Sequence, residues 1–169
     1  MAETHAGNGQ ATTVENPTNA GRIVDGREHH EVIIIGSGPL QNDVEDQIES
    51  LQLEEFVTRL GRVEHQHIPN YMAACDLLCL PSLREGCPNV VLESLSCGTP
   101  VVASNVGAVP DIISSEEFGV IVPACNPKEL AEGITKGLKL KEKGLPVFEW
   151  YDWQENANKV HFELQKLNT

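Results

Sequence analysis

The stretch from residue 77 to residue 103 reads LLCLPSLREGCPNVVLESLSCGTPVVA, and it decides the fold. Its first four residues, Leu77 to Leu80, form a short apolar run that predicts a buried strand. Residues Asn89 to Ser96 have the spacing of a helix, which ends before Gly98, a residue suited to the position after a helix terminus. Pro100 to Ala103 then predict a second strand. A strand, a helix and a strand joined by short connections are typical of a parallel α/β sheet.

The same alternation continues on both sides of this stretch. Further strands are predicted at Val32–Ile35, Phe56–Leu60 and Gly119–Val122. Further helices are predicted at Leu40–Leu51, His67–Ala74, Pro127–Leu138 and Trp153–Leu167. The fold class that follows is α/β, with a doubly wound, mostly parallel sheet. Such sheets bind ligands beyond the carboxyl ends of their strands, which directs attention to the loops that follow each strand.

The net charge limits the classes of partner that the chain can have. The chain has 169 residues, and its 12 Lys and Arg against 25 Asp and Glu give a formal net charge of −13. Such a surface repels nucleic acid and anionic lipid, so neither is expected as a partner. A phosphate-bearing ligand would therefore have to be held by a few local donors.

The cysteines and the hydropathy of the chain indicate its cellular location. The five cysteines form no C-x-x-C pair, which favours a reduced protein of the cytoplasm. No apolar run approaches the ~20 residues of a membrane helix, so no transmembrane segment is expected. The polar start of the chain lacks a signal-peptide core, which argues against export.

The loop at residues 81–88 has the features of an anion-binding site. The amides of Asn89 and Val90 lie in the first turn of the following helix, where N–H groups have no helical partner and the dipole is positive. Gly86 allows a ligand to approach the backbone closely. Pro88 lacks an N–H that the start of the helix would not have used. These residues predict a binding site for a phosphate group.

Two carboxylates flank this helix start, Glu85 before it and Glu93 one turn into it. Ionised carboxylates accept hydrogen bonds from hydroxyl groups and can take two at once. One carboxylate can therefore face the sugar side of a diphosphate and the other a ribose. Taken alone, either residue could equally be a solvated charge that interacts weakly with the helix dipole.

Residues 81–93 combine these features in the pattern P-S-x-x-E-G-…-E, with seven residues between the two glutamates. Four further stretches have the order and spacing of the same family: 33–40 (IIIGSGPL), 60–63 (LGRV), 71–81 (YMAACDLLCLP) and 94–113 (SLSCGTPVVASNVGAVPDII). From residue 31 to about residue 138, the chain resembles the nucleotide-sugar-binding C-terminal half of a GT-B, family-4 retaining glycosyltransferase.

The resemblance implies a Rossmann-like half of a GT-B fold whose ligand is a nucleotide-diphosphate sugar. It assigns Glu85 to the transferred sugar, as the catalytic residue of this half, and Glu93 to the ribose hydroxyls of the donor. The amides around Asn89 and Val90 would hold the diphosphate or the ribose, and Val63 would border the base. Further donor contacts are implied for Arg62, Gly86, Cys87 and Pro88.

The resemblance is incomplete near the N-terminus. The family begins this half with a strand, a G-R-x-x-x-x-K loop and a helix, and residues 21–27 (GRIVDGR) resemble only the loop. The expected sheet therefore lacks its first strand and helix. Arg22 and Arg27 either stand in the two cationic positions that would clamp the diphosphate or form a solvated pair.

The expected organisation has three parts. Residues 1–28 are predicted to be a flexible tail, because they contain almost no large apolar side chain. Residues 29–145 would form the donor-binding domain, and residues 146–169 resemble the helix that crosses to the acceptor-binding domain of the family. Three aromatic residues of this last part either pack on the domain or form an exposed interaction patch: Trp150, Tyr151 and Trp153. An unpaired strand edge in the incomplete sheet would favour a homodimer.

The resemblance implies retaining transfer of a sugar to a glycan or lipid-linked acceptor, as in polysaccharide biosynthesis. A separate domain or chain would hold the acceptor, so this chain alone is expected to be inactive. No cofactor or metal is expected, because the nucleotide sugar is a substrate. The alternative that stays open is a non-catalytic nucleotide-sugar-binding or protein-interaction module of the same descent.

Two other interpretations are disfavoured. The Gly-Ser-Gly at residues 36–38 lacks the third glycine of a dinucleotide-binding motif, which argues against a nicotinamide-dependent oxidoreductase. His65 and His67 lie beside Glu64 without a second group of ligands at a recognisable spacing. A pair of loop histidines is therefore a simpler explanation than a metal site.

Overall fold

The computed structural model describes residues 12–14, 23–24, 27–28 and 31–148, with side chains described from residue 31 to residue 148. The strands are β1 (Thr12–Val14), β2 (Ile23–Val24), β3 (Arg27–Glu28), β4 (Val32–Ile35), β5 (Val57–Gly61), β6 (Leu77–Leu80), β7 (Val101–Ser104) and β8 (Gly119–Val122). Six of them form one sheet in the order β5-β4-β1-β6-β7-β8, while β2 and β3 form a separate antiparallel pair.

Five strands of the main sheet run in the same direction. β4 pairs in parallel with β5, and β6, β7 and β8 pair in parallel with their neighbours. The chain passes from β5 at one edge to β6 on the far side of β1, so the strand order reverses at the centre of the sheet. This topology confirms the predicted α/β class with a doubly wound, mostly parallel sheet.

Strand β1 departs from what the sequence predicted. Thr12–Val14 belongs to the segment expected to be a flexible tail, yet it lies at the centre of the sheet. It runs antiparallel to both neighbours, with Thr13 opposite Ile33 of β4 and Leu78 of β6. Its β-branched residues suit a strand, and it pairs backbone groups of β4 and β6 that would otherwise face a gap.

The helices follow the predictions closely. They are α1 (Gln41–Ser50), α2 (Ile68–Ala74), α3 (Asn89–Ser96), α4 (Val109–Ile112) and α5 (Pro127–Lys143), and a 3₁₀ turn at His65–His67 precedes α2. Helix α3 has the predicted bounds, whereas the single turn of α4 was not predicted. Helix α5 continues past its predicted end at Leu138 and stops where Gly144 adopts a φ of 76°, a backbone conformation that favours glycine.

Strands β6 and β7 are buried on both faces, as expected for the middle of a parallel sheet. One face packs against α3 and α4 in a core that contains Leu78, Leu80, Val91, Leu95, Val101, Ala103, Val109, Ile112 and Ile113. The other face packs against α5 through Leu77, Cys79, Val102 and Val122. Helix α5 approaches the sheet closely because Gly133 faces it: a Cβ there would lie 2.8 Å from a methyl carbon of Val102.

Helix α1, which connects β4 to β5, is less deeply packed than the helices that cover β6 and β7. None of the residues of α1 is buried, and Leu51 at its C-terminal end is 60% exposed. The predicted crossing helix at residues 146–169, with Trp150, Tyr151 and Trp153, falls outside the described residues after Phe148. Within the described part of the chain, no helix combines the length and the apolarity needed to cross a membrane.

Candidate functional site

A cleft of about 350 Å³ lies beyond the carboxyl ends of β4, β5 and β6, beside the point where the strand order reverses. Its walls come from the loops after these strands and from the first turns of α2 and α3. The lining residues are Ile35, Gly36, Arg62, Val63, His65, Ile68, Met72, Glu85, Cys87, Pro88, Asn89, Val90 and Glu93. This is the position at which doubly wound sheets bind their ligands.

The loop after β6 is held together by a short side-chain hydrogen bond. The hydroxyl of the buried Ser82 donates to Oε1 of Glu85 across 2.6 Å. Glu85 itself is half-buried and lies on the wall of the cleft. A hydrogen bond to an ionised acceptor is stronger than one between neutral groups, so this contact restrains the direction of the Glu85 carboxylate.

The backbone of the same loop is braced by the loop after β7. The N–H of Ala108 donates to the carbonyl oxygen of Gly86 at 2.8 Å. Gly107 has a φ of 53°, and a Cβ on it would lie 2.2 Å from the carbonyl oxygen of Glu85. Only glycine fits this approach, because no side chain can share space with a backbone carbonyl and a positive φ disfavours residues with a Cβ.

Helix α3 begins at the cleft without a side-chain cap. Its N-cap is Pro88, in an extended conformation with φ −75° and ψ 99°, and no side chain bonds to the first turn. The N–H of Val91 donates to the Pro88 carbonyl at 3.0 Å, which leaves the amides of Asn89 and Val90 without helical partners by geometry. Because both residues line the cleft, their N–H groups and the helix dipole form a local anion-binding element.

Glu93 lies one turn further along α3 and is half-buried on the same wall. On its other side it is near Cys97, four residues later. Burial, and then the Glu93 carboxylate, raise the pKa of the Cys97 thiol, while Lys141 lowers it. The cleft therefore combines two carboxylates with free amides on the side formed by the β6–α3 connection.

The opposite wall contains residues that the sequence analysis did not name as site residues. Ile68 and Met72 are four residues apart on α2 and therefore share a face, while Ile35 and Gly36 end β4. In the sequence these residues stand out only as a strand end and an i, i+4 pair. Both features are too common to identify a binding site. His65, which the sequence disfavours as a metal ligand, lies on the exposed rim of the cleft.

The two loop histidines, His65 and His67, belong to no metal-ligand cluster in the part of the chain that the structure describes. The described part of the chain contains no group of three or more His, Cys, Asp or Glu side chains placed to hold a metal ion. His67 lies 4.0 Å from Glu64, with both side chains exposed. No set of ligands therefore accompanies His65 and His67 within residues 31–148.

The structure brings most of the predicted site residues together. Eight line the one cleft: Glu85, Glu93, Cys87, Pro88, Asn89, Val90, Arg62 and Val63. Gly86 is not on the lining, and its carbonyl instead bonds to Ala108. Arg22 falls outside the described residues, and Arg27 is described only as a backbone position in β3, paired with Val24. The roles of all these residues remain predictions.

Comparison with known proteins gives one family. The model of the glycosyl transferases group 1 family matches residues 19–146. An uncharacterized glycosyltransferase of Methanocaldococcus jannaschii is 30% identical over 142 residues, which cover 79% of this chain and 36% of that protein. The gpi3 subunit of phosphatidylinositol N-acetylglucosaminyltransferase from Schizosaccharomyces pombe is 30% identical over 147 residues, covering 80% of this chain and 32% of that protein. The chain thus spans about a third of the length of these curated relatives.

Solved structures share the fold. Anabaena HepE in complex with UDP-glucose matches with a TM-score of 0.55 and 30% identity, over 64% of this chain and 33% of that chain. The lipopolysaccharide outer core galactosyltransferase WaaB matches with a TM-score of 0.65 and 20% identity, over 80% of this chain and 41% of that chain. The second likeness concerns the fold alone.

Proposed function

Because this chain belongs to the glycosyl transferases group 1 family and has the Rossmann-like fold of GT-B glycosyltransferases, we propose that its cleft binds a nucleotide-diphosphate sugar as donor. The observation that carries the proposal is the meeting of the free amides at the start of α3 with Glu85 and Glu93 in one cleft. These groups match the two chemical parts of such a donor, its phosphates and its hydroxyls.

Each part of the donor has a complementary group in the cleft. The amides of Asn89 and Val90 suit the diphosphate, which needs local donors in a chain with a net charge of −13. Glu93 suits the ribose hydroxyls and Glu85 the transferred sugar, because ionised carboxylates accept hydrogen bonds strongly. Arg62 and Val63 lie on the other wall, where they would border the base.

For the reaction, we propose retaining transfer in which this half stabilises the departing diphosphate. Donors aimed at developing negative charge are a major source of catalysis, and the α3 amides would supply such donors here. Holding donor and acceptor together can contribute roughly 7–11 kcal/mol of barrier reduction. The acceptor would be a glycan or lipid-linked molecule held by a separate acceptor-binding domain.

The five cysteines, all described as free thiols, support a reducing, cytoplasmic location.

A second candidate function rests on the same cleft. Within residues 31–148, the groups of the cleft complement a nucleotide sugar, and none of them is assigned to an acceptor. A module that binds a nucleotide sugar without turnover is therefore the alternative. Turnover by the chain on addition of an acceptor would exclude it.

The proposal is tested by titrating the chain with UDP-, GDP- and ADP-sugars in a calorimeter. We start with UDP-glucose, because HepE binds it and is 30% identical to this chain. Saturable binding of one nucleotide class, with a stoichiometry near one, is the expected result. A chain shown to be folded by circular dichroism that binds none of these donors would contradict the proposal.

The cysteines offer a labelling test of where the donor binds. Cys87 and Cys125 are exposed, but only Cys87 lines the cleft. Burial raises the pKa of Cys79 to about 12, so this thiol should not react in the folded chain. A saturating donor is expected to slow alkylation of Cys87 at least tenfold and to leave Cys125 unchanged, as measured by peptide mass spectrometry.

The Cys87→Ser and Cys125→Ser variants show which labelled peptide comes from each of these two exposed thiols. Equal protection of both thiols would indicate a general tightening of the chain, and no protection of Cys87 would place the donor elsewhere. The labelling rates are to be compared at one pH, because only thiolates react.

A further inference from the structure

Ser82 is a buried polar side chain next to the cleft, with 1% of its surface exposed. Its hydroxyl donates to Oε1 of Glu85 at 2.6 Å. A buried hydroxyl requires a partner, and here the partner is the carboxylate to which the proposed function assigns the sugar. The serine itself is not on the lining of the cleft, so it acts on the ligand only through Glu85.

The hydrogen bond uses one oxygen of a group that has two. Oε1 of Glu85 accepts the bond from Ser82, and Oε2 accepts none from the residues that the structure describes, while the residue as a whole lies on the cleft. A half-buried glutamate without this bond would sample several rotamers about its side-chain torsions. Binding would then have to order the side chain, and ordering a rotamer-rich side chain weakens affinity.

The backbone of the loop is held by other contacts. The Ala108 N–H bonds to the Gly86 carbonyl at 2.8 Å, and Gly107 packs against the Glu85 carbonyl. Removal of the Ser82 hydroxyl therefore leaves the course of the loop in place and releases only the Glu85 carboxylate. This separation allows the effect on the side chain to be measured apart from the effect on the loop.

We propose that Ser82 is a positioning residue, which fixes one oxygen of Glu85 so that the other meets the sugar of the donor. The inference rests on the proposed donor-binding function. It makes a selective claim: Ser82 affects recognition of the sugar and has no effect on recognition of the nucleoside diphosphate. A serine with a merely structural role would affect both ligands alike.

The test compares UDP-glucose with UDP by calorimetry on the wild-type chain and on Ser82→Ala. We expect the variant to bind UDP-glucose roughly 2- to 12-fold more weakly, because binding must then order the released Glu85 side chain, and to bind UDP within twofold of the wild type. Ser82→Thr keeps the hydroxyl and is expected to restore most of the UDP-glucose affinity. An equal loss for both ligands, or no loss for either, would overturn the proposal.

The matched control is Ser94→Ala. Ser94 is as buried as Ser82, but its hydroxyl donates to the backbone carbonyl of Thr99 at 3.0 Å. It should lose stability without a sugar-selective change in affinity. If the wild type binds neither ligand nor any other donor, the proposed function fails and the role of Ser82 fails with it. Wild-type binding without a selective loss in Ser82→Ala overturns only the role of Ser82.

A double-mutant cycle checks the contact in the absence of any donor. Thermal unfolding of Ser82→Ala, Glu85→Ala and the double variant should show non-additive changes in stability, because the two side chains interact directly. Additive changes would mean that the hydrogen bond contributes nothing in the free chain, and the positioning role would then be rejected.

Discussion

Replacement of Gly107 by alanine is expected to lower the free energy of unfolding by about 2–4 kcal/mol and to weaken donor binding at least tenfold. A residue with a Cβ at a φ of 53° costs about 1–2 kcal/mol. The new Cβ would also lie 2.2 Å and 2.6 Å from the carbonyl oxygens of Glu85 and Gly86. Since neither carbonyl can rotate away alone, the whole loop must shift, and backbone shifts forced by overpacking cost about 1–3 kcal/mol.

The control for this prediction is Gly98→Ala. Gly98 has a φ of 74°, but a Cβ on it meets no atom within 4 Å. It therefore incurs the conformational cost without the steric one, and it lies at the far end of α3 from the amides. Urea unfolding gives the stabilities and calorimetry with UDP-glucose the affinities. Equal losses of stability in the two variants would mean that the loop accommodates the new atom freely.

The second large effect is expected at Glu93. The Glu93→Ala variant should bind the donor roughly 10- to 100-fold more weakly, because one or two charge-assisted hydrogen bonds to ribose hydroxyls are lost. Its free energy of unfolding should change by less than about 1 kcal/mol, since the side chain is half-buried and the ion pairs found within residues 31–148 do not include it. Titration of UDP-glucose and of UDP should show the same loss, because both contain the ribose.

The matched control is Glu132→Ala on the exposed side of α5, which removes the same charge away from the cleft. It separates a local hydrogen bond from the general effect of one fewer negative charge. If Glu93→Ala and Glu132→Ala change the donor affinity equally, the cause is the loss of one negative charge and not of a local hydrogen bond. Unchanged affinity in Glu93→Ala alone would remove the ribose role from this residue.

The central elements could be predicted because their signals are local. β6, α3 and β8 have the bounds that the sequence predicted. Each is an apolar run or an amphipathic segment with a glycine or proline at its end, which are features of adjacent residues. The grouping of Glu85, Asn89 and Glu93 around one cleft also follows from local spacing, since all three lie within one loop and the helix that it opens.

The remaining features depend on contacts between distant residues. The pairing of Thr12–Val14 with β4 and β6 joins segments that are far apart in sequence, and composition alone favoured a flexible tail. The contact of Gly107 with Glu85 is likewise invisible in the pattern, because it requires two loops from different strands to meet. The Ser82–Glu85 bond is local, but only burial of the serine distinguishes it from an ordinary exposed pair.

The position of β1 has a consequence for how the chain opens. The two hydrophobic cores contain residues of β6, β7 and β8, and among the described residues they include no member of β4, β5 or α1. The two sides of the sheet are joined through three residues of β1. Amide protons of β4 and β5 should therefore exchange with solvent through local openings of lower free energy than those of β6 and β7. A ligand that contacts both Val63 and Glu93 would connect the half of the sheet whose amides exchange readily to the half whose amides exchange slowly. Unfolding of the two halves would then become more cooperative.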